Sequence, residues 1–237
     1  MSGTVLEAAG LRKAFGGNRV VDGVDLRIAQ GELVAVVGPN GAGKTSLLNL
    51  LSGQLKPNGG TIRLSGADVT RLSPHAPERR TLFRSFQNGG AFGKLSAREN
   101  VALAGMVRGA SRGEAEKAAD AALERVGLSP VAGWQAEHLS GGQRKLIDFA
   151  RLLLARPRVA LLDEPTAGVN PAIMEVMAGI IAQMREDGAG FAVISHDLPW
   201  VFGLCQRVVV LAAGRELAAG SPDEISANPA VREAYLA

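Results

Sequence analysis

The 237-residue sequence predicts an α/β fold in which a buried parallel sheet is flanked by helices, covered by an antiparallel β layer and interrupted by an inserted α-helical subdomain. Three observations carry this. The short runs Leu33–Val37, Val159–Leu162 and Phe191–Ile194 are apolar without alternation, as strands buried on both faces require. Residues 4 to about 30 do alternate, with Val20, Val21, Val24, Leu26 and Ile28 separated by polar or small residues. The stretch from about 88 to 155 changes to helical character.

In chain order, the alternating segment forms the β layer, and Gly59–Gly66 adds a short strand between turns. After Leu33–Val37 and the segment Gly38–Thr45, Leu47, Leu48, Leu50 and Leu51 recur at helical spacing until Gly53, placed as a C′ residue. Ser111-Arg112-Gly113-Glu114 reads as a capping box, with Ala115, Ala118, Ala119, Ala122, Leu123 and Val126 on one face until Gly127. Ser140 opens a helix from Gly141 to Ala155. Asn170 as N-cap and Pro171 at the first helical position start another, which turns Ile173, Val176, Met177, Ile180, Ile181 and Met184 inward and closes at Gly188. Val208–Leu211, Ala212–Gly214 and Arg215–Ala218 read as a hairpin. No internal repeat or low-complexity tract divides the chain, so residues 1–237 are expected to form one unit. Within it, 1–87 and 156–237 make the core with its β layer, and 88–155 the helical subdomain.

The chemistry starts at Gly38-Pro39-Asn40-Gly41-Ala42-Gly43-Lys44-Thr45, a complete G-x-x-x-x-G-K-[ST] set between a strand and a helix. Its glycines let successive N–H groups converge on phosphate oxygens, and the following helix N-terminus adds partial positive charge. Gly38, Asn40, Gly41, Ala42, Gly43, Lys44, Thr45 and Ser46 are the candidate phosphate cradle. Lys44 is expected on the β- and γ-phosphates of ATP and the Thr45 hydroxyl on Mg²⁺. Asp163 ends a second buried strand, where a carboxylate faces the loop across the carboxyl edge of the sheet and suits the same metal. Glu164, the next residue, is placed to polarise an attacking water, or is an ordinary strand-end carboxylate.

Leu139-Ser140-Gly141-Gly142-Gln143 followed by Leu161-Leu162-Asp163-Glu164-Pro165 resembles the ATP-binding subunits of ABC transporters, and the resemblance covers nearly the whole chain. It implies a P-loop NTPase (RecA-like) core. Phe15 matches the aromatic that stacks on adenine, the alternative being a core Phe of the β layer. Gln87, in Ser85-Phe86-Gln87-Asn88, matches the glutamine that touches Mg²⁺ and senses the membrane partner. His196 matches the switch histidine at the γ-phosphate, whereas His75 and His138 read as satisfied structural residues. Ser140 and Gly142 are either a capped helix start or, as in the family, donors to the ATP held by a neighbouring subunit. Asn170 stands where much of the superfamily has aspartate, and Ser195 precedes the histidine where relatives carry an acidic residue or threonine.

The resemblance implies ATP hydrolysis in a dimer, with a second ATPase subunit either identical or not. Permease membrane subunits would be driven by it, with a solute-binding protein acting through them. Phe86-Gln87-Asn88, Ala167–Pro171 and the ending Pro229–Ala237 are similar to the branched-chain amino-acid importer ATPases. Lipopolysaccharide-export ATPases and urea or amide importers share much of the pattern, and a soluble assembly ATPase is the other class. No apolar run approaches the roughly 18 residues needed to cross a bilayer. Met1–Glu7 lacks the basic start and apolar stretch of a signal peptide, so residence on the cytoplasmic face of the inner membrane, as a peripheral subunit, is expected. A net charge of +3 with dispersed Lys and Arg gives no nucleic-acid footprint. The single cysteine, Cys205, lies at helical spacing with Leu198, Val201 and Phe202, as a small core residue would.

Overall fold

The computed structural model describes residues 3–85 and 90–236. Its strands are β1 (Thr4–Phe15), β2 (Asn18–Ala29), β3 (Leu33–Val37), β4 (Gly59–Leu64), β5 (Ala67–Asp68), β6 (Leu82–Arg84), β7 (Val159–Asp163), β8 (Gly190–Ile194), β9 (Arg207–Ala212) and β10 (Arg215–Gly220). Its α-helices are α1 (Lys44–Ser52), α2 (Ala97–Met106), α3 (Arg112–Arg125), α4 (Gly141–Ala155), α5 (Pro171–Glu186), α6 (Leu198–Phe202), α7 (Pro222–Ala227) and α8 (Pro229–Leu236).

The two hydrophobic patterns separate into two sheets. The alternating strands form an antiparallel sheet in the order β2-β1-β4-β5, and the apolar runs form a sheet in the order β10-β9-β3-β8-β7-β6. In the second sheet β3, β6, β7, β8 and β9 are parallel and β10 alone runs antiparallel, as the hairpin predicts. The alternation in β2 changes parity between Val21 and Val24, and the register shows why. One extra residue is accommodated in β1 between Ala8 and Leu11 and another in β2 between Asp22 and Val24, so the strand bulges and its buried face switches.

Side chains of the parallel strands divide between two cores. Leu33, Ala35, Val37, Ala160, Leu162, Phe191 and Val193 pack against α2–α5, whereas Val34, Val36, Val159, Leu161, Ala192 and Ile194 meet α1 and the β layer. Each fully buried Leu, Val or Phe contributes about 1.5–3 kcal/mol of transfer free energy. That two-sided burial explains why these strands carry no polar alternation.

The helix ends follow local chemistry. Gly53 caps α1 in the left-handed conformation, and the Ser111–Glu114 and Ser140–Gln143 capping boxes open α3 and α4. Some elements were not anticipated. β6 has three residues, too few for a period, and residues beyond Gly220, which carried no predicted element, form α7 and α8. Helix α6 ends at Phe202, so buried Cys205 lies past it, held by Val201 O at 2.9 Å from its amide N. His75 and His138 are exposed surface residues rather than satisfied structural ones. Each sits in a connection between the longer elements, His138 beside the buried Ala136 and Leu139.

Candidate nucleotide site

The loop between β3 and α1 is shaped by close approach. A Cβ on Gly38 would stand 2.1 Å from Leu211 O, and one on Gly43 would stand 2.2 Å from Val20 O; both glycines have positive φ, +146° and +96°. No other residue fits there. Gly43 is also the N-cap of α1 and no side chain caps that end, so the first-turn N–H groups are left for an anion. Lys44 lies across the loop, its Nζ donating to Gly38 O at 2.7 Å and Pro39 O at 3.0 Å. Burial pushes the Lys44 ammonium below its ordinary pKa, opposed by the carboxylates of Glu164 and Asp163. The loop from Asn40 to Ser46 lines a cavity of about 490 Å³ together with Glu164, Ile194, His196, Asn18 and Val20. A larger groove, about 670 Å³, opens between Arg156–Arg158 and Gln183–Ala189, at the amino ends of the strands, and contains none of the motif residues. The smaller cavity lies at the carboxyl ends, where ligands of open α/β sheets bind.

Asp163 and Glu164 diverge as their positions require. Asp163 is 3% exposed; its N–H donates to Ser85 Oγ at 3.0 Å, and its Oδ2 accepts from Arg84 Nη2 at 2.9 Å. Glu164 is buried with φ of +49°, a left-handed conformation unusual for a non-glycine residue. Its amide donates to Ile194 O at 2.9 Å, its carbonyl accepts from Lys145 Nζ at 2.8 Å, and its Oε2 accepts from the His196 amide at 3.2 Å. Those contacts hold the strained backbone. Glu164 Oε1 is 3.1 Å from His196 Nε2 but makes no aligned hydrogen bond, which leaves a buried oxygen open to a water.

β8 brings His196 to this edge, as the sequence order implies, with its side chain 56% exposed toward the cavity mouth. The preceding Ser195 is buried and accepts from the Asp197 amide at 3.0 Å, a local turn that any small hydroxyl residue supports. Asn170 is engaged in capping α5, its Oδ1 accepting from Ile173 N at 2.9 Å. Phe15 is 51% exposed at the end of β1, which excludes the core alternative, and Lys13 Nζ lies 5.1 Å from its ring centroid. Gln87 lies outside the described residues.

Ser140 and Gly142 do not line the cavity beside Lys44. The Ser140 Oγ accepts from Gln143 N at 3.2 Å and keeps its own hydrogen for donation outward. At the head of α4 the cap residue Ser140 is exposed while Gly142 is buried. Two turns further on, α4 grips the segment that follows residue 89. Gly90 N donates to Asp148 Oδ2 at 3.2 Å and Gly90 O accepts from Arg151 Nη1 at 2.8 Å. Arg151 also reaches Asp148 Oδ1 at 3.1 Å, Asn100 Oδ1 at 2.6 Å and Asn100 O at 2.9 Å. Burial pushes the Asp148 carboxyl up, opposed by Arg151, the Gly90 N–H and Lys145. Removing the guanidinium strands that buried carboxylate. Arg151→Ala is therefore expected to lower unfolding free energy by about 3–5 kcal/mol, read from urea denaturation midpoints.

Sequence reasoning missed Arg84, Lys145, Asp148, Arg151 and Tyr235. Tyr235 on α8 is 40% exposed; partial burial of its phenol and the Glu164 charge push its pKa up, and the Gly38 backbone opposes the shift.

A strand, an uncapped glycine loop, a buried lysine and two edge carboxylates define a nucleoside triphosphatase of the P-loop class. The ABC transporter family model matches residues 21–167, and a second model, the branched-chain amino acid ATP-binding cassette transporter, matches residues 215–236. The chain is 38% identical to the high-affinity branched-chain amino acid transport ATP-binding protein BraF of Pseudomonas aeruginosa, over 100% of this chain and 99% of that one. Identity to LivG of Escherichia coli is 35% with the same coverage, and to the lipopolysaccharide export protein LptB of Acidithiobacillus ferridurans 34%, over 98% and 96%. Among solved structures, a nucleotide-free ATP-binding cassette superposes with a TM-score of 0.89 at 26% identity, covering 99% of both chains. A cassette in its ADP conformation gives 0.86 at 27%, covering 98% of both. The chain belongs to the ABC transporter ATP-binding family, and it is an ATPase coupled to transport. Among the described residues no helix is long and apolar enough to cross a membrane.

Proposed function

We propose that this chain is the ATP-hydrolysing subunit of an importer for branched-chain amino acids or a related small polar solute, peripheral on the cytoplasmic face of the inner membrane. The observation that carries the substrate class is the match over residues 215–236. That segment forms β10, α7 and α8, outside the phosphate loop and signature that ABC ATPases share. The similarity to LptB supports a second reading, the ATPase of a lipopolysaccharide-type exporter.

In this reading residues 1–87 and 156–237 bind nucleotide and 88–155 form the helical subdomain. Lys44 and the amides of residues 41–46 hold the β- and γ-phosphates, and Phe15 stacks on adenine. The residues fit a magnesium ion carried on the phosphates: a loop hydroxyl at Thr45, a buried ionic carboxylate at Asp163, and Gln87. Among the described residues no cluster of three or more His, Cys, Asp or Glu forms a cage of its own, which suits an ion shared with substrate. When bound there, magnesium would supply neutralisation of the phosphate charge. Glu164 orients the attacking water and accepts its proton, while His196 holds the γ-phosphate, so that ATP and water give ADP and phosphate. Ser140 and Gly142 of a second subunit, identical or not, complete the site.

The partners are permease subunits, with a solute-binding protein acting through them. The test is purification of the tagged chain from membranes with its permease, followed by ATPase assay in vesicles. Hydrolysis is expected to rise several-fold with binding protein loaded with leucine, and not with the unloaded protein. Co-purification with lipopolysaccharide-export membrane subunits would overturn the importer reading.

A further inference from the structure

Arg84 belongs to none of the motifs, yet it sits where several of them meet. It ends β6, and its guanidinium is buried: Nη2 donates to Asp163 Oδ2 at 2.9 Å and to Asn49 Oδ1 on α1 at 3.1 Å. The side chains of Arg84 and Asp163 are 7% and 3% exposed. Ser85, the next residue, holds the Asp163 amide at 3.0 Å. Two consecutive residues leaving β6 therefore fix Asp163 by its backbone and by one carboxylate oxygen. Asn49 lies four residues after Thr45 on α1, on the same helical face. Through Asn49 and Asp163, a single guanidinium connects the helix that carries Thr45 to the strand that carries the acidic residue.

We propose that Arg84 is a positioning residue for the metal site, holding Asp163 with Oδ2 engaged and Oδ1 left for magnesium and its waters. The proposal rests on the reading of Asp163 as a magnesium-binding carboxylate. A carboxylate this deeply buried needs a charge partner and donors around it. A guanidinium on one oxygen also stops the carboxylate from turning, which keeps the other oxygen aimed while nucleotide comes and goes. Outer partners of metal ligands act in this way, and their loss typically costs 10–100-fold in metal affinity.

The purified full-length chain is titrated with magnesium, using a fluorescent ATP analogue, for Arg84→Met, Arg84→Lys, Asn49→Ala and Asp163→Asn. Binding of ADP without metal serves as the reference for an intact fold. Arg84→Met is expected to raise half-saturating magnesium roughly 10–100-fold while metal-free ADP binding stays near wild type. Arg84→Lys recovers part of the loss, because an ammonium keeps the charge but not the reach and orientation with which Nη2 meets Asp163 and Asn49. Asn49→Ala shifts the midpoint less. An unchanged or lowered midpoint in Arg84→Met overturns the proposal, even if turnover falls. Should that variant not fold, unchanged midpoints in both Arg84→Lys and Asn49→Ala overturn it instead. A shift in Asp163→Asn without one in Arg84→Met removes only the role of Arg84, whereas no shift in Asp163→Asn removes the metal reading and this inference with it.

Discussion

Glu164→Gln is expected to lower ATP turnover by roughly 10²–10⁴-fold while nucleotide binding persists, because the amide keeps the shape of the side chain but cannot accept a proton. The surroundings of Glu164 make the comparison clean. Its backbone is held by Ile194 O, by Lys145 Nζ and by a left-handed φ of +49°, none of which depends on the carboxylate charge. The His196 amide, 3.2 Å from Oε2, is served equally by an amide oxygen. Only Oε1 loses its function. ATP held without hydrolysis should also accumulate the closed dimer, so size exclusion in ATP and magnesium would show a larger species than in ADP. Wild-type turnover in the variant would remove Glu164 from the mechanism, and attention would pass to His196.

What was legible in the sequence is what short-range chemistry determines. The phosphate loop, the Ser111 and Ser140 capping boxes, the Asn170-Pro171 helix start and the left-handed Gly53 each act within a few residues, so a local reading finds them. The division into a parallel and an antiparallel sheet was likewise readable, because burial on one or two faces is written directly in the hydrophobic pattern. The contacts that set the site are of another kind. Arg84 meets Asp163 across 79 residues, Arg151 meets Gly90 across 61, and Lys145 reaches the carbonyl of Glu164 across 19. A lone arginine beside a three-residue strand carries no periodicity or motif, so only the folded chain shows what it touches. Phe15 needed the folded chain in the same way: an aromatic that ends an alternating strand reads as core or as platform, and its exposure removes the core reading.

Ser140→Asp is expected to leave the folded monomer and its ATP binding intact and to lower hydrolysis by about 100-fold or more, since like charges brought together at an interface cost several kcal/mol. The substitution separates the two roles of this residue. Aspartate is as good an N-cap as serine and suits the positive end of α4, so within its own chain the change is neutral or slightly favourable. In the proposed dimer the same carboxylate faces the γ-phosphate held by a neighbouring subunit and repels it. Because Ser140 does not line the cavity that contains Lys44, the loss should appear in assembly and turnover rather than in monomer affinity. Mixing decides the point. In a pair of identical chains, a Ser140→Asp subunit supplies an intact Lys44 loop and a Lys44→Ala subunit supplies an intact Ser140. One of the two composite sites is then complete, and an equal mixture of two inactive proteins should recover about a quarter of wild-type turnover if pairing is random. If the working partner is a nonidentical subunit, Ser140→Asp in this chain silences the partner's site and spares its own. Signature residues that served their own loop would give no recovery in any mixture, because each defective chain would carry its defect in its only site.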